Sequence, residues 1–325
     1  MGLDLKYTNP RGRSVLLSRY SGLDVFPGGF SYIRATFLLV AWCAKVCFTH
    51  MIPAVITSGL TRRFGDFIAV QDVNLTVAPG QFFGFLGPNG AGKSTTIKML
   101  TGLLAPTSGN IQILGLDAAA HPIEVKRQIG VVPEGLALFG RLTAAEYLHF
   151  VGRMYGLDAA TTATRTTELL EFMSLAGETK KLVTDFSHGM QKKLALAAAV
   201  IHGPKVLFLD EPFEGVDAIA SGTLKSMLQG MIARGATIFL TSHVLAIVER
   251  LCTHIAIIDR GHLIANGSLE ELRAGVHARN PGGLDNIAGN GAAGTQTLTL
   301  EQIFLSIVGS EAGAQQHEQE LSWLG

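Results

Sequence analysis

The residues Gly87-Pro-Asn-Gly-Ala-Gly-Lys-Ser-Thr95 could hold a chain of phosphates. From Gly87 through Ser94 they fit the spacing G-x-x-x-x-G-K-[ST]. Gly87, Gly90 and Gly92 let the backbone curl until successive N–H groups point inward at phosphate oxygens, with Pro88, Asn89, Ala91 and Thr95 completing the loop. Lys93 supplies a point charge for the terminal phosphates, and Ser94 offers a hydroxyl of the kind magnesium accepts. The chemistry is that of a nucleoside triphosphate site. A second group lies in Val206-Leu-Phe-Leu-Asp-Glu-Pro212, where an apolar run ends in two carboxylates. Delivered beside the loop, Asp210 could hold magnesium through water, and Glu211 could take the proton of an attacking water.

A third stretch, Phe186-Ser-His-Gly-Met-Gln-Lys-Lys193, opens the helical run LALAAAVI. The start of a helix leaves backbone N–H groups unpaired and carries a partial positive charge. Ser187 either caps that end or the end receives an anion, and the residues alone leave both readings open.

These groups need a strand before the glycine loop, a helix after it, and buried strands to bring the carboxylates alongside. The sequence provides them. PAVITSGLTRRF, FIAVQDVNLTV and GQFFGFLG read as strands, with turns at Gly59, Gly65-Asp66 and Pro79-Gly80. A helix follows from Lys93 to Leu103 and a strand from Asn110 to Leu114. Between Thr143 and Val200 the periodicity is helical throughout. Strands return at 206–210, 237–242 and 255–259, and their near-continuous apolar content predicts a parallel sheet covered on both faces. The fold class is therefore α/β, interrupted by an all-helical insertion near residues 135–200. The ordered pattern covers 51–273; residues 274–296 (AGVHARNPGGLDNIAGNGAAGTQ) read as a linker, and 297–325 as a helical tail containing LTLEQIFLSIVG.

Composition narrows the function. The 26 basic and 26 acidic residues cancel, so no basic surface advertises nucleic acid. A mean hydropathy of +0.31 fits a chain that buries much of itself or docks against something apolar. Cys43, Cys47 and Cys252 show no zinc spacing and are too few for a disulfide framework, which points to a reducing compartment. Cys43 and Cys47, four apart, are read as packing residues on one helix face. The apolar stretch 33–56 is broken by Arg34, Lys45, His50 and Pro53, and its longest uncharged core, Ala35 to Ala44, is too short to span a bilayer. Because pattern sets in abruptly after Met51, translation is expected to start there, leaving 1–50 as an upstream extension.

The order GPNGAGKST, FSHGMQ, LFLDEP, TSH resembles the ATPase subunits of ATP-binding cassette (ABC) transporters, over roughly residues 55–270. That resemblance implies a RecA-like P-loop NTPase core with a small antiparallel β subdomain and an inserted helical subdomain. It implies ATP and Mg2+ as cofactors, a second ATPase subunit as a head-to-tail homodimer partner, and each ATP held by one chain's P-loop and the other's signature helix. Ser187 and the Gly189 N–H would then reach the γ-phosphate in trans, with Gln191 in the same signature stretch. Phe186, His188 and Met190 depart from the family's L-S-G-G-Q, and Gln191 falls one position late. His188 is expected to face solvent. Phe64 stands where an aromatic stacks on adenine, or is plain core; His243 matches the switch histidine, and Asp217 the loop that crosses to the partner, with Glu214 in an unusual place for that loop. Glu134 replaces the glutamine linked to magnesium. The resemblance further implies an integral-membrane partner on a separate chain, a peripheral position on the cytoplasmic face of the membrane, and transport, with export indicated by the VPE motif and the C-terminal LEQIF helix. The alternatives are a soluble ABC ATPase acting on nucleic acid or ribosomes, or a regulatory ATPase without transport; salt-sensitive nucleic-acid binding or copurification with a polytopic partner would separate them.

Overall fold

Strands that are apolar on both faces pair stably only where both faces are covered, and here three of them form the middle of one sheet. In the computed structural model β5 (Phe82–Leu86), β9 (Val206–Asp210) and β10 (Thr237–Thr241) are buried at every position. The structure describes residues 6–8, 14–16, 52–279 and 298–312. It divides into two units, Met1–Met51 and Ile52–Gly325. In the first, β1 (Lys6–Thr8) and β2 (Ser14–Leu16) pair as an antiparallel hairpin. Cys43, Cys47 and the Met51 start lie outside the described residues, as do 280–297 and 313–325.

The second unit is built on a six-stranded sheet of order β12-β11-β5-β10-β9-β8, with β8 (Ile129–Val132), β11 (His254–Asp259) and β12 (His262–Ser268). All neighbours are parallel except the β11–β12 hairpin. Alternate residues along each strand enter opposite cores, as the period of two requires. Leu207, Leu209, Ile238 and Leu240 face the inserted helices. Phe83, Phe85, Phe208 and Phe239 face a four-stranded sheet, and Phe239 stacks on Phe83 with ring centroids 5.4 Å apart. That second sheet has the order β4-β3-β6-β7, from β3 (Val55–Phe64), β4 (Phe67–Val77), β6 (Ser108–Ile113) and β7 (Leu116–Asp117), all antiparallel. Gly59, expected as a turn, instead lies within β3, where the pairing to both neighbours shifts register between Thr57 and Thr61; the glycine permits a bulge rather than ending the strand.

Helix α1 (Lys93–Leu100) follows β5, and α2 (Pro122–Gln128) leads into β8. The insertion then contributes α3 (Ala144–Met154), α4 (Ala159–Phe172) and α5 (His188–Val200). Their starts are written locally. Thr143 and Glu146 close a reciprocal capping box at α3, and Asp158 accepts the Thr161 N–H at 2.8 Å to cap α4. Beyond β9 come α6 (Ala218–Ala233) and α7 (Leu245–Leu251). Helix α8 (Leu269–Arg279) runs through the first residues of the expected linker, so that linker does not begin at Ala274. Helix α9 (Leu300–Ala312) lies in the expected tail. Arg273 ties these ends together, donating to the Leu298 carbonyl at 2.8 Å and to Glu249 at 3.0 Å. Among the described residues no helix is long and apolar enough to cross a membrane.

Candidate functional site

The glycine loop leaves the end of β5 and turns into α1 at Gly92, whose φ of 106° is one that side-chain-bearing residues avoid. A Cβ at Gly92 would also collide with the Ala69 carbonyl. No side chain caps α1, so the N–H groups of its first turn remain for a ligand. Lys93 is buried, and its ammonium donates to the carbonyls of Gly87 at 2.8 Å and Pro88 at 3.1 Å. Gly87 and Ala91 are buried in the loop's base, and the Ala91 N–H donates to the Pro88 carbonyl at 3.2 Å.

The carboxylates arrive from β9. Ser94 Oγ lies 3.2 Å from Asp210 Oδ1 and 3.5 Å from Glu134 Oε2. Asp210 is itself fixed by the Thr241 hydroxyl, which donates to it at 2.6 Å from the neighbouring strand β10. Glu211 is buried, with its Oε2 3.0 Å from Nδ1 of His243 and accepting the His243 N–H at 3.2 Å. Nδ1 thus faces Glu211, and Nε2 is the ring nitrogen left for another partner.

These side chains open onto one cleft of about 430 Å³. Phe64, Asn89, Gly90, Gly92, Lys93, Ser94, Thr95, Glu134, Glu211 and His243 line it, while Gly87, Pro88, Ala91 and Asp210 do not. Phe64 is 46% exposed, with the Arg62 guanidinium 4.5 Å above its ring, so one face is backed by a cation while the ring borders the cleft. Three lining residues were not foreseen there: Phe67, Ala69 and Glu214. Phe67 pairs in register with Phe64 across the Gly65-Asp66 turn, and the pattern F-G-D-F was the available signal. Thr241 and Lys192 were missed as well; the Lys192 ammonium donates to the Glu211 carbonyl at 3.0 Å.

Ser187, Gly189, Gln191 and Asp217 lie outside this cleft. Ser187 caps α5, its hydroxyl oxygen accepting the Met190 N–H at 3.3 Å, while Ser187 and His188 are exposed. Gly189 is buried against Asp217. Gln191 donates to its own chain's Phe186 carbonyl at 3.3 Å; one position of delay turns a side chain about 100° around a helix. Asp217 caps α6 by accepting from Ile219 and Ala220, both at 2.9 Å. The Ala220 N–H, and behind it that of Ile219, hold its carboxyl below the usual carboxylate range.

The arrangement suits binding and cleavage of a nucleoside triphosphate, and relatives agree. Residues 70–214 match the family model described as ABC transporter. The Nod factor export ATP-binding protein I of Cupriavidus metallidurans is 40% identical over 211 residues, covering 65% of this chain and 70% of that protein. The chain belongs to the ABC transporter family. As an ATP-binding subunit of that family it binds and hydrolyses ATP. The linearmycin resistance ATP-binding protein LnrL of Bacillus subtilis is 38% identical, over 66% of this chain and 68% of the relative. The bacitracin transport ATP-binding protein BcrA of Bacillus licheniformis is also 38% identical, over 69% of this chain and 72% of the relative. A solved ATP-binding subunit of an ABC transporter superposes with a TM-score of 0.68 at 30% identity, covering 78% of this chain and 99% of that one. The RecA-like core with its antiparallel sheet and inserted helices is thus the family's fold.

Proposed function

We propose that this ABC ATPase subunit powers export through a separate integral-membrane subunit, lying peripherally on the cytoplasmic face and working as a head-to-tail homodimer. The observation that carries the catalytic part is the meeting of Lys93, Ser94, Glu134, Glu211 and His243 around one cleft, with Asp210 bonded to Ser94 at its floor. ATP lies with its phosphates in the Gly87–Thr95 loop and its adenine against Phe64. Glu211 takes a proton from the attacking water, and His243 orients that water and the γ-phosphate through Nε2. Hydroxyl and carboxylate oxygens are the donors magnesium prefers, and Ser94, Glu134 and Asp210 supply one and two of them, the rest coming from water and phosphate. Bound there, Mg2+ would neutralise charge that develops on the phosphate oxygens.

The partner completes the site with the exposed end of α5: Ser187 and the Gly189 N–H meet the γ-phosphate in trans, while Gln191 braces the loop that presents them. The Asp217 loop faces the partner across the same junction. Export rests on the exporters among the relatives.

Glu211→Gln keeps the shape of the cleft and removes the base. It is expected to bind ATP, hydrolyse at least about 100-fold more slowly, and accumulate an ATP-dependent dimer on size-exclusion chromatography. Brisk hydrolysis by this variant would strip Glu211 of its role, and a persistent monomer would remove the shared-site dimer.

A further inference from the structure

Beneath the cleft lies a cation that the reaction scheme above does not use. Lys192 on α5 is only 2% exposed, and its ammonium donates to the backbone carbonyl of Glu211 at 3.0 Å. A buried ammonium is unfavourable unless it is paired. Burial pulls Lys192 below its ordinary value, and the carboxylates of Glu214, Glu134, Glu211 and Asp210 pull it back up.

Glu211 is a residue that needs holding. Its φ of 49° lies in the left-handed region, which disfavours a side chain with a Cβ. Its N–H donates to the Thr241 carbonyl and hydroxyl, each at 3.2 Å, and its carboxylate meets His243. The carbonyl accepts two bonds, a longer one from the Glu214 N–H at 3.3 Å and the one from the Lys192 ammonium at 3.0 Å. Without the Lys192 bond the peptide after Glu211 keeps only the longer bond from Glu214 and loses its charged one, so the backbone that aims the carboxylate is held less firmly.

We propose that Lys192 is a positioning residue for hydrolysis, fixing the left-handed backbone of Glu211 and so the direction of its carboxylate. The inference rests on Glu211 as the base. It also adds a link: α5 begins at the Ser187 cap and carries Lys192 in the same helix. The end offered to a partner's phosphate and the hold on this chain's own base are therefore parts of one rigid rod.

The test is steady-state hydrolysis by the full-length protein, with binding of a fluorescent ATP analogue measured in parallel. Lys192→Met should lower kcat by about 10–100-fold, with KM and analogue affinity unchanged within about twofold. Lys192→Arg, which keeps charge and donors, should recover most of kcat. In a Glu211→Gln background Lys192→Met should cause no further loss, because no base is left to aim. Unchanged kcat in Lys192→Met overturns the proposal. So does a proportionate further loss in the Glu211→Gln background, or lost analogue binding, either of which assigns Lys192 to structure alone. Should Lys192→Met fail to fold, Lys192→Gln carries the same measurements with the same outcomes. Fast hydrolysis by Glu211→Gln itself would instead remove the role of Glu211, which is a separate failure.

Discussion

A serine hydroxyl accepts two hydrogen bonds and donates one, so Ser187 can accept from the Met190 N–H and still present its proton to a neighbour. Capping and anion contact, alternatives in the sequence, are compatible in the structure. They can be separated, because glycine at an N-cap position costs only a few tenths of a kcal/mol whereas alanine costs about 1 kcal/mol. Ser187→Gly should therefore leave the urea midpoint nearly unchanged and ATP binding intact. Hydrolysis should fall about tenfold or more, the value of a hydrogen bond to a charged oxygen. Full turnover by Ser187→Gly would reduce the hydroxyl to a cap. At this scale the sequence was legible where neighbours in the chain are neighbours in the site. Lys93 with Ser94, and Asp210 with Glu211, announce themselves by adjacency. Thr241 and Lys192 do not: each lies inside a quoted motif, TSH and the α5 start, but one holds Asp210 from the next strand and the other holds Glu211 from a helix in the insertion, partners that no adjacency in the chain reveals.

Elements were readable where their residue pattern was unambiguous, and hidden where it was very brief or broken by glycine. β9 was found to the residue because VLFLD is apolar without interruption. β8, only IGVV, was not assigned, and neither was α6, whose AIASGTLKSMLQGMIA carries two glycines that weaken a helical reading. Yet β8 sets how close α5 comes to the sheet. Gly130 sits in it with no room for a side chain: a Cβ would run into the Ala199 carbonyl at the end of α5 and lie 2.8 Å from Leu207 Cδ1. Gly130→Ala must push the helix off the strand, at a cost of about 1–3 kcal/mol in unfolding free energy. Chemical denaturation would read it as a lowered midpoint at unchanged slope. Because the moved helix carries Lys192 and the Ser187 cap, turnover of the folded fraction should drop as well. A midpoint equal to the parent's would mean that α5 does not rest on β8 as described.

For the whole unit from Ile52 onward, the cleft draws on several parts of the fold. Phe64 and Phe67 come from the antiparallel sheet, the phosphate loop and Glu211 from the parallel sheet, and Glu134 from the segment entering the helical insertion. The two sheets already share a core, and a ligand touching all three parts adds a further tie between them. Such a ligand stabilises the native state by RT ln(1 + [L]/Kd), about 2.7 kcal/mol at a hundredfold excess over Kd. For a chain of this size that corresponds to a rise in Tm of about 5 °C. The measurement is a thermal melt of Glu211→Gln, which does not consume its ligand, with ATP and Mg2+. Adding EDTA should shrink the shift, because Ser94, Glu134 and Asp210 then face the phosphates without a cation between them. Adding Lys93→Ala should abolish it, since the ammonium now bonded to Gly87 and Pro88 is the charge the terminal phosphates would meet. An equal shift in the Lys93→Ala protein would show that ATP binds somewhere other than this cleft, and the roles of Ser94, Asp210 and Glu211 would fall with it.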